Sequence, residues 1–125
     1  MLQGGCFCGR IRYEVAGRPF HETNCHCSIC RHTTGAPFVA WFSVRPSEFR
    51  FVEGDPSHFR SSGKGSRSFC PQCSDDHPDE VDITTCSLDH PEAVPPRDHT
   101  YTSGKVQWMQ LTDGLAHYAQ ARPNA

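Results

Sequence analysis

Seven of the eight cysteines in this 125-residue chain fall into three short clusters, and their spacing restricts the fold more tightly than any apolar run does. Cys6 and Cys8 form a Cys-x-Cys. Cys25, Cys27 and Cys30 form a Cys-x-Cys-x-x-Cys, Cys70 and Cys73 form a Cys-x-x-Cys, and Cys86 stands alone. Thiolates two or three residues apart can converge on one metal ion. Two such pairs complete a closed, four-ligand structural site, whereas three thiolates leave a coordination position open for chemistry.

Composition explains why such staples are needed. The length suits one domain, expected to span residues 1–125. Only 36% of residues are hydrophobic, and ten glycines with ten prolines point to a loop-rich, mainly β chain that leans on cross-links. Those cross-links could be disulfides or metals. Met1 to Gly5 carry neither a basic nor an apolar leader region, and no apolar run approaches a membrane span. A cytoplasmic location is therefore expected, and a reducing compartment favours metal over disulfide. The formal charge of −2, with basic residues scattered apart from Lys64 and Arg67, argues against nucleic-acid or membrane surfaces as partners.

Strand patterns dominate. Arg10 to Val15 alternates polar and apolar residues, so Ile11, Tyr13 and Val15 share a buried face, and Gly9 marks a hairpin turn with Cys8 at its rim. Phe20 to Cys27 reads as extended. Phe38 to Val44, the most apolar run, reads as a central strand, and Phe49 to Glu53 follows a Pro46-Ser47-Glu48 turn. Ser57 to Ser61 and Ser66 to Phe69 flank Gly63-Lys64-Gly65 as a hairpin, and Val81 to Thr85 alternates again. Helix is scarce: Ser28 can cap a short turn from Ile29 to Thr34, stopped by Gly35 and Pro37, and a further helical turn is expected near Asp113 to Tyr118.

Each cysteine pair at a strand end or knuckle supplies half a tetrahedron. Cys6 and Cys8 are expected to join Cys70 and Cys73 in one structural zinc site that clips two hairpins across a long loop. Cys25, Cys27 and Cys30 come from one neighbourhood where a strand meets a helical turn, and are expected to hold a second, open zinc. His26 lies between two ligands and faces the opposite way in an extended segment, while His32 would need the turn to fold back. The fourth position is left to water, a substrate thiol or Cys86, whose bland alternative is a small buried hydrophobe. Soft thiolates select zinc over magnesium, calcium or manganese.

Three stretches carry a resemblance. Gly4 to Tyr13, then Cys25 to Arg31 followed by Gly35-Ala36-Pro37-Phe38 and Trp41, then Phe69 to Cys73, resemble the three motifs of the glutathione-dependent formaldehyde-activating enzyme family, which includes centromere protein V. Ser87-Leu88-Asp89, Pro91, His99, Val106 and Trp108 resemble its C-terminal part. The resemblance implies a β-tent, Mss4-like fold of twisted antiparallel sheets. It also implies two zinc ions per chain, a structural one at Cys6, Cys8, Cys70 and Cys73 and a catalytic one at Cys25, Cys27 and Cys30. The implied reaction joins glutathione and formaldehyde to give S-hydroxymethylglutathione, a carbon–sulfur lyase reaction in reverse. Here Ser74-Asp75 follows the third motif in place of the family's usual Gly-Thr, and Cys86 stands where Gly is common.

On that reading the open zinc delivers a thiolate, the partner is a glutathione-like thiol, Arg31 either meets a substrate carboxylate or is a solvated surface charge, and Trp41 and Phe42 either wall the pocket or, as is commoner for such residues, pack the core. His99 and Asp89 serve proton transfer or structural hydrogen bonds. The competing reading is a non-catalytic zinc module that binds a small molecule or a protein.

Overall fold

Alternation along Val39–Val44 sets the architecture, because Phe42 and Val44 point to one side of the strand and Trp41 and Ser43 to the other. The computed structural model describes residues 1–54 and 80–123. Among these the chain is mainly β. Eight strands run in order: β1 (Leu2–Gly5), β2 (Arg12–Val15), β3 (Phe20–Cys25), β4 (Val39–Val44), β5 (Phe49–Glu53), β6 (Val81–Thr84), β7 (Asp98–Thr100) and β8 (Ala116–His117), with one helix, α1 (Ser28–Thr34), between β3 and β4. The expected Ser57–Phe69 hairpin lies outside the described residues, as do Cys70 and Cys73.

Two sheets form. One has the order β1-β2-β5, the other β6-β4-β3-β7-β8. The first is antiparallel throughout. The second departs from the antiparallel expectation, since β7 pairs with β3 and with β8 in parallel. The reason lies in the connection: after β6 the chain turns through short 3-10 segments at Thr85–Ser87 and Pro91–Ala93, so that β7 runs the same way as β3. Proline at the start of the second segment fits its first-turn preference. The run Asp98-His99-Thr100 is too short to stand out in a sequence pattern, and β1 is masked by its glycines.

The inner face of the larger sheet builds the main core. Phe42, Val44 and Ile83 pack with Tyr13 and Val15 of the smaller sheet and with Leu88 and Val94 from the connection. Phe42 is therefore a core residue rather than a pocket wall, as the period-two rule places it on the face of Val44. The two sheets are tied at Gly4, which bridges to Leu88 and where an added Cβ would stand 2.4 Å from the Ser87 carbonyl. Tyr13 closes the same junction with a 2.5 Å hydroxyl contact to Ser87.

Two further expectations change. The helical turn near Asp113 to Tyr118 is instead a turn leading into β8, held by the Tyr118 N–H bonding the His99 carbonyl. Cys86 is exposed rather than buried, because Thr85–Ser87 forms a surface 3-10 turn.

The core makes a direct prediction. Phe42 is fully buried, so Phe42→Ala should cost about 3–5 kcal/mol in chemical denaturation; a loss below about 1 kcal/mol would show that the two sheets do not share this core.

Candidate metal centre and adjoining cleft

The cysteine cluster sits where β3 ends and α1 begins. Alternation along β3 sends Thr23 and Cys25 to the outer face of the larger sheet, beside Trp41 and Val39, their partners on β4. The chain then turns. Cys27, rather than Ser28, caps the helix: its extended backbone precedes the first turn, and its sulfur accepts the Cys30 N–H at 3.2 Å. The sulfur takes the place that a hydroxyl or carboxylate oxygen usually fills at a helix start. The helix stops at Gly35, whose φ of 76° supplies the left-handed cap that bonds back to the Arg31 carbonyl.

This geometry gathers Cys25, Cys27 and Cys30, whose sulfurs all lie within 4.8 Å of one another. The Cys27 and Cys30 sulfurs are 3.0 Å apart, well beyond the roughly 2.05 Å of a disulfide. Cys25 and Cys30 are buried, while Cys27 is half-buried at the edge. Three soft, convergent donors with one side toward solvent fit a thiophilic metal ion such as zinc. Cys86 is not part of the group, and His32 turns its Nδ1 to the Ser28 carbonyl at 2.7 Å.

Cys6 and Cys8 form a second pair on the hairpin after β1, exposed and with sulfurs 3.3 Å apart. The Cys8 backbone N–H, aided by the Cys8 thiol, holds the Cys6 thiol below its ordinary value. Their expected partners Cys70 and Cys73 are not among the described residues.

Behind the Cys25–Cys30 loop runs a buried hydrogen-bond chain. His26 and His99 are both fully buried. His26 Nε2 lies 2.9 Å from His99 Nδ1, and His99 Nε2 lies 2.7 Å from an Asp113 carboxylate oxygen. With both rings neutral, one arrangement satisfies these contacts: His99 donates to Asp113 and His26 donates to His99. Burial, then the neighbouring His99, pushes His26 down to about 4. The chain continues into the backbone, where the His26 N–H bonds the Thr100 carbonyl at 3.0 Å. His26 thus faces away from the cysteines, as its position in the motif implies, and anchors their loop from behind. His99 takes the structural role, while Asp89 instead pairs with Arg12 at the sheet junction. Asp113 went unnoticed in the sequence, although Asp before Gly marks a turn with a side chain available to bond. His117 adds a third ligand atom within 4.8 Å of those of His99 and Asp113, a set that could also accept a metal.

On the outer face of the larger sheet a small cleft opens to solvent. Cys25 stands at one end, with Trp41, Thr23 and Thr100 along the floor, and Ser43 with Asp82 toward the other end. Thr23 and Thr100 hydroxyls meet at 3.0 Å, and Ser43 donates to Asp82 at 2.6 Å. Trp41 is thus a wall of the cleft. Arg31, on α1, is not among its lining residues, and its Nε is buried with no hydrogen-bond partner among the described residues. Asp82 was legible only as an acidic residue set in an otherwise β-branched strand.

A model of the family described as glutathione-dependent formaldehyde-activating enzyme matches residues 1–104. A Halomonas elongata protein, named provisionally as a glutathione-dependent formaldehyde-activating enzyme, is 27% identical over 127 aligned positions, covering 89% of this chain and 81% of its own. A crystal structure of a Rhodobacter sphaeroides protein superposes with a TM-score of 0.53 at 20% identity, covering 93% of this chain and 98% of that one, which establishes likeness of fold.

The hydrogen bond from His99 holds the Asp113 carboxyl below its ordinary 3.8. A carboxylate so held contributes stability that is complete above its unfolded value and lost as pH falls through the lower folded one. Asp113→Asn should therefore lower the denaturation midpoint at pH 7, and by less at pH 3. An equal loss at both pH values would mean that the His99–Asp113 contact carries no charge.

Proposed function

Since the chain belongs to the glutathione-dependent formaldehyde-activating enzyme family, we propose that it is a zinc-dependent carbon–sulfur lyase of the S-(hydroxymethyl)glutathione synthase type. Its substrates are a glutathione-like thiol and a small aldehyde. The observation that carries this reading is the convergence of the Cys25, Cys27 and Cys30 sulfurs within 4.8 Å of one another, with Cys25 lining a solvent-open cleft. On this reading residues 1–125 form one zinc-stapled domain of the β-tent type, working in the cytoplasm. Cys25, Cys27 and Cys30 hold the catalytic zinc, and Cys6 and Cys8 with Cys70 and Cys73 hold the structural one. Among the described residues no helix is long and apolar enough to cross a membrane.

Zinc, when bound by three thiolates with a position left open, lowers the pKa of an incoming thiol and so supplies a nucleophile near neutral pH. The protein's own residues do the rest. The Cys30 N–H bond to Cys27 fixes that sulfur in place. The Asp113–His99–His26 chain holds the loop rigid from behind, so that the three sulfurs converge without reorganisation. Trp41 and Tyr101 pack against the cluster and keep one wall of the site dry. The thiol sulfur attacks the carbonyl carbon, a carbon–sulfur bond forms as the carbonyl π bond opens, and the proton lost from sulfur ends on the aldehyde oxygen. Solvent at the open mouth can carry that proton. Arg31 lies off the cleft, so a role in gripping a substrate carboxylate needs the ligand to reach out over α1.

Metal analysis and kinetics test this together. The purified chain should hold two zinc ions, and it should speed the exchange between glutathione and formaldehyde followed by NMR. Cys27→Ser should remove that acceleration by a factor of about 100 or more while leaving the fold intact. Cys70→Ser should unfold the chain. Undiminished exchange in Cys27→Ser, or no acceleration by the unaltered two-zinc protein, would exclude this activity and leave the non-catalytic zinc module.

A further inference from the structure

We propose that His99, Asp113 and His117 form a third metal site, one that takes a single divalent ion of the borderline class, zinc foremost, with solvent completing its shell. The site shares no ligand with the cysteine groups and stands apart from the reaction proposed above. Its three ligand atoms all lie within 4.8 Å of one another.

The backbone builds the group. β7 and β8 pair in parallel with His99 opposite His117, so both imidazoles stand on one face of the sheet. The two rings sit edge to face with centroids 5.3 Å apart. Asp113 enters through the turn before β8, where Gly114 at a φ of 79° lets the chain reverse. One Asp113 carboxylate oxygen accepts the Leu115 N–H at 3.0 Å, which leaves the other to face His99 Nε2 at 2.7 Å. His99 is fully buried, with the Phe38 ring against it at 5.8 Å between centroids, whereas Asp113 and His117 are exposed. One ligand is thus fixed, and two can close on an ion arriving from solvent.

The donor set decides the ion. Two imidazoles and a carboxylate suit zinc and its transition-series neighbours rather than magnesium or calcium, which prefer oxygen. Zinc bonds of about 2.0–2.1 Å in a tetrahedron put ligand atoms about 3.3 Å apart. The 2.7 Å His99–Asp113 contact must therefore open a little, and the exposed His117 ring has at most about 1.5 Å to close. The inner side of His99 is equipped as well. A ligating imidazole gives its other N–H to a fixed acceptor, and His99 Nδ1 lies 2.9 Å from His26 Nε2. With an ion on Nε2, the His99 proton sits on Nδ1 and His26 accepts instead of donating, its own proton on Nδ1. The bond between the rings is kept, and His26 Nδ1 has no partner among the described residues in either arrangement. Nitrogen and oxygen donors hold zinc less firmly than thiolates do, so gel filtration strips this ion and the purified chain keeps its two cysteine-bound ones.

Zinc is titrated calorimetrically into the untagged chain, already holding its two cysteine-bound ions, while nitrogen-15 NMR follows the His99 ring. One further ion should bind per chain. His117→Ala and Asp113→Asn should each weaken it by about tenfold or more, since loss of even an outer hydrogen-bond partner of a zinc ligand costs about 10–100-fold. His90→Ala, which removes an exposed histidine outside the group, should leave the affinity unchanged. On binding, the His99 ring proton should pass from Nε2 to Nδ1. If a variant fails to fold, the stoichiometry and the ring proton of the unaltered chain still decide. No further ion, a further ion held equally well by His117→Ala, or a His99 proton that stays on Nε2 with the ion bound overturns the proposal.

Discussion

The parallel pairing of β3 with β7, carried one residue further by the His26 N–H bond to the Thr100 carbonyl, is the constraint on which the site depends. It fixes the last residues of β3 just before the chain leaves the sheet. Because side chains alternate, fixing His26 inward fixes Cys25 outward. Cys27 then caps a helix of less than two turns and brings Cys30 back beside it. None of the three sulfurs is placed by an element of its own. All three follow from one anchored strand end, held by a hydrogen-bond chain that runs through His99 to Asp113.

The same alternation divides the larger sheet into two working faces. Phe42, Val44 and Ile83 go to the core against the smaller sheet, where burial of their apolar surface contributes most of the stabilisation. Trp41, Thr23, Ser43, Asp82 and Thr100 go to the cleft. A polar sheet face that is neither fully covered nor fully wet is costly unless its groups bond to one another, and here they do: Thr23 with Thr100, Ser43 with Asp82. That preorganised surface is what makes the cleft a candidate binding site rather than a packing fault.

Much of this was legible in the residues themselves. Cysteine spacing grouped Cys25, Cys27 and Cys30, alternation identified β2 and β6, the apolar run identified β4, and Gly35 marked the end of α1. The same reasoning erred or was silent where order depends on distant partners. Ser28 looked like the cap because hydroxyls usually are, yet a sulfur one residue earlier takes the bond. The Asp113 region read as helical from local propensity, while pairing to β7 makes it a turn and a short strand. For Phe42 the residues alone left core and pocket wall both open with the core favoured, and its register against Ile83 puts it in the core. The His26–His99–Asp113 chain joins residues up to 87 positions apart, and no local pattern encodes it.

Membership in the glutathione-dependent formaldehyde-activating enzyme family fits a three-cysteine group able to hold a metal ion, and the proposed function rests on two unequal metal sites, one of them open. Cadmium-113 NMR of the cadmium-substituted protein tests that inequality most directly. Two resonances should appear, and adding glutathione should move only the one assigned to Cys25, Cys27 and Cys30. A single resonance, or two that both stay fixed when glutathione is added, would contradict an open thiolate site that takes up a thiol.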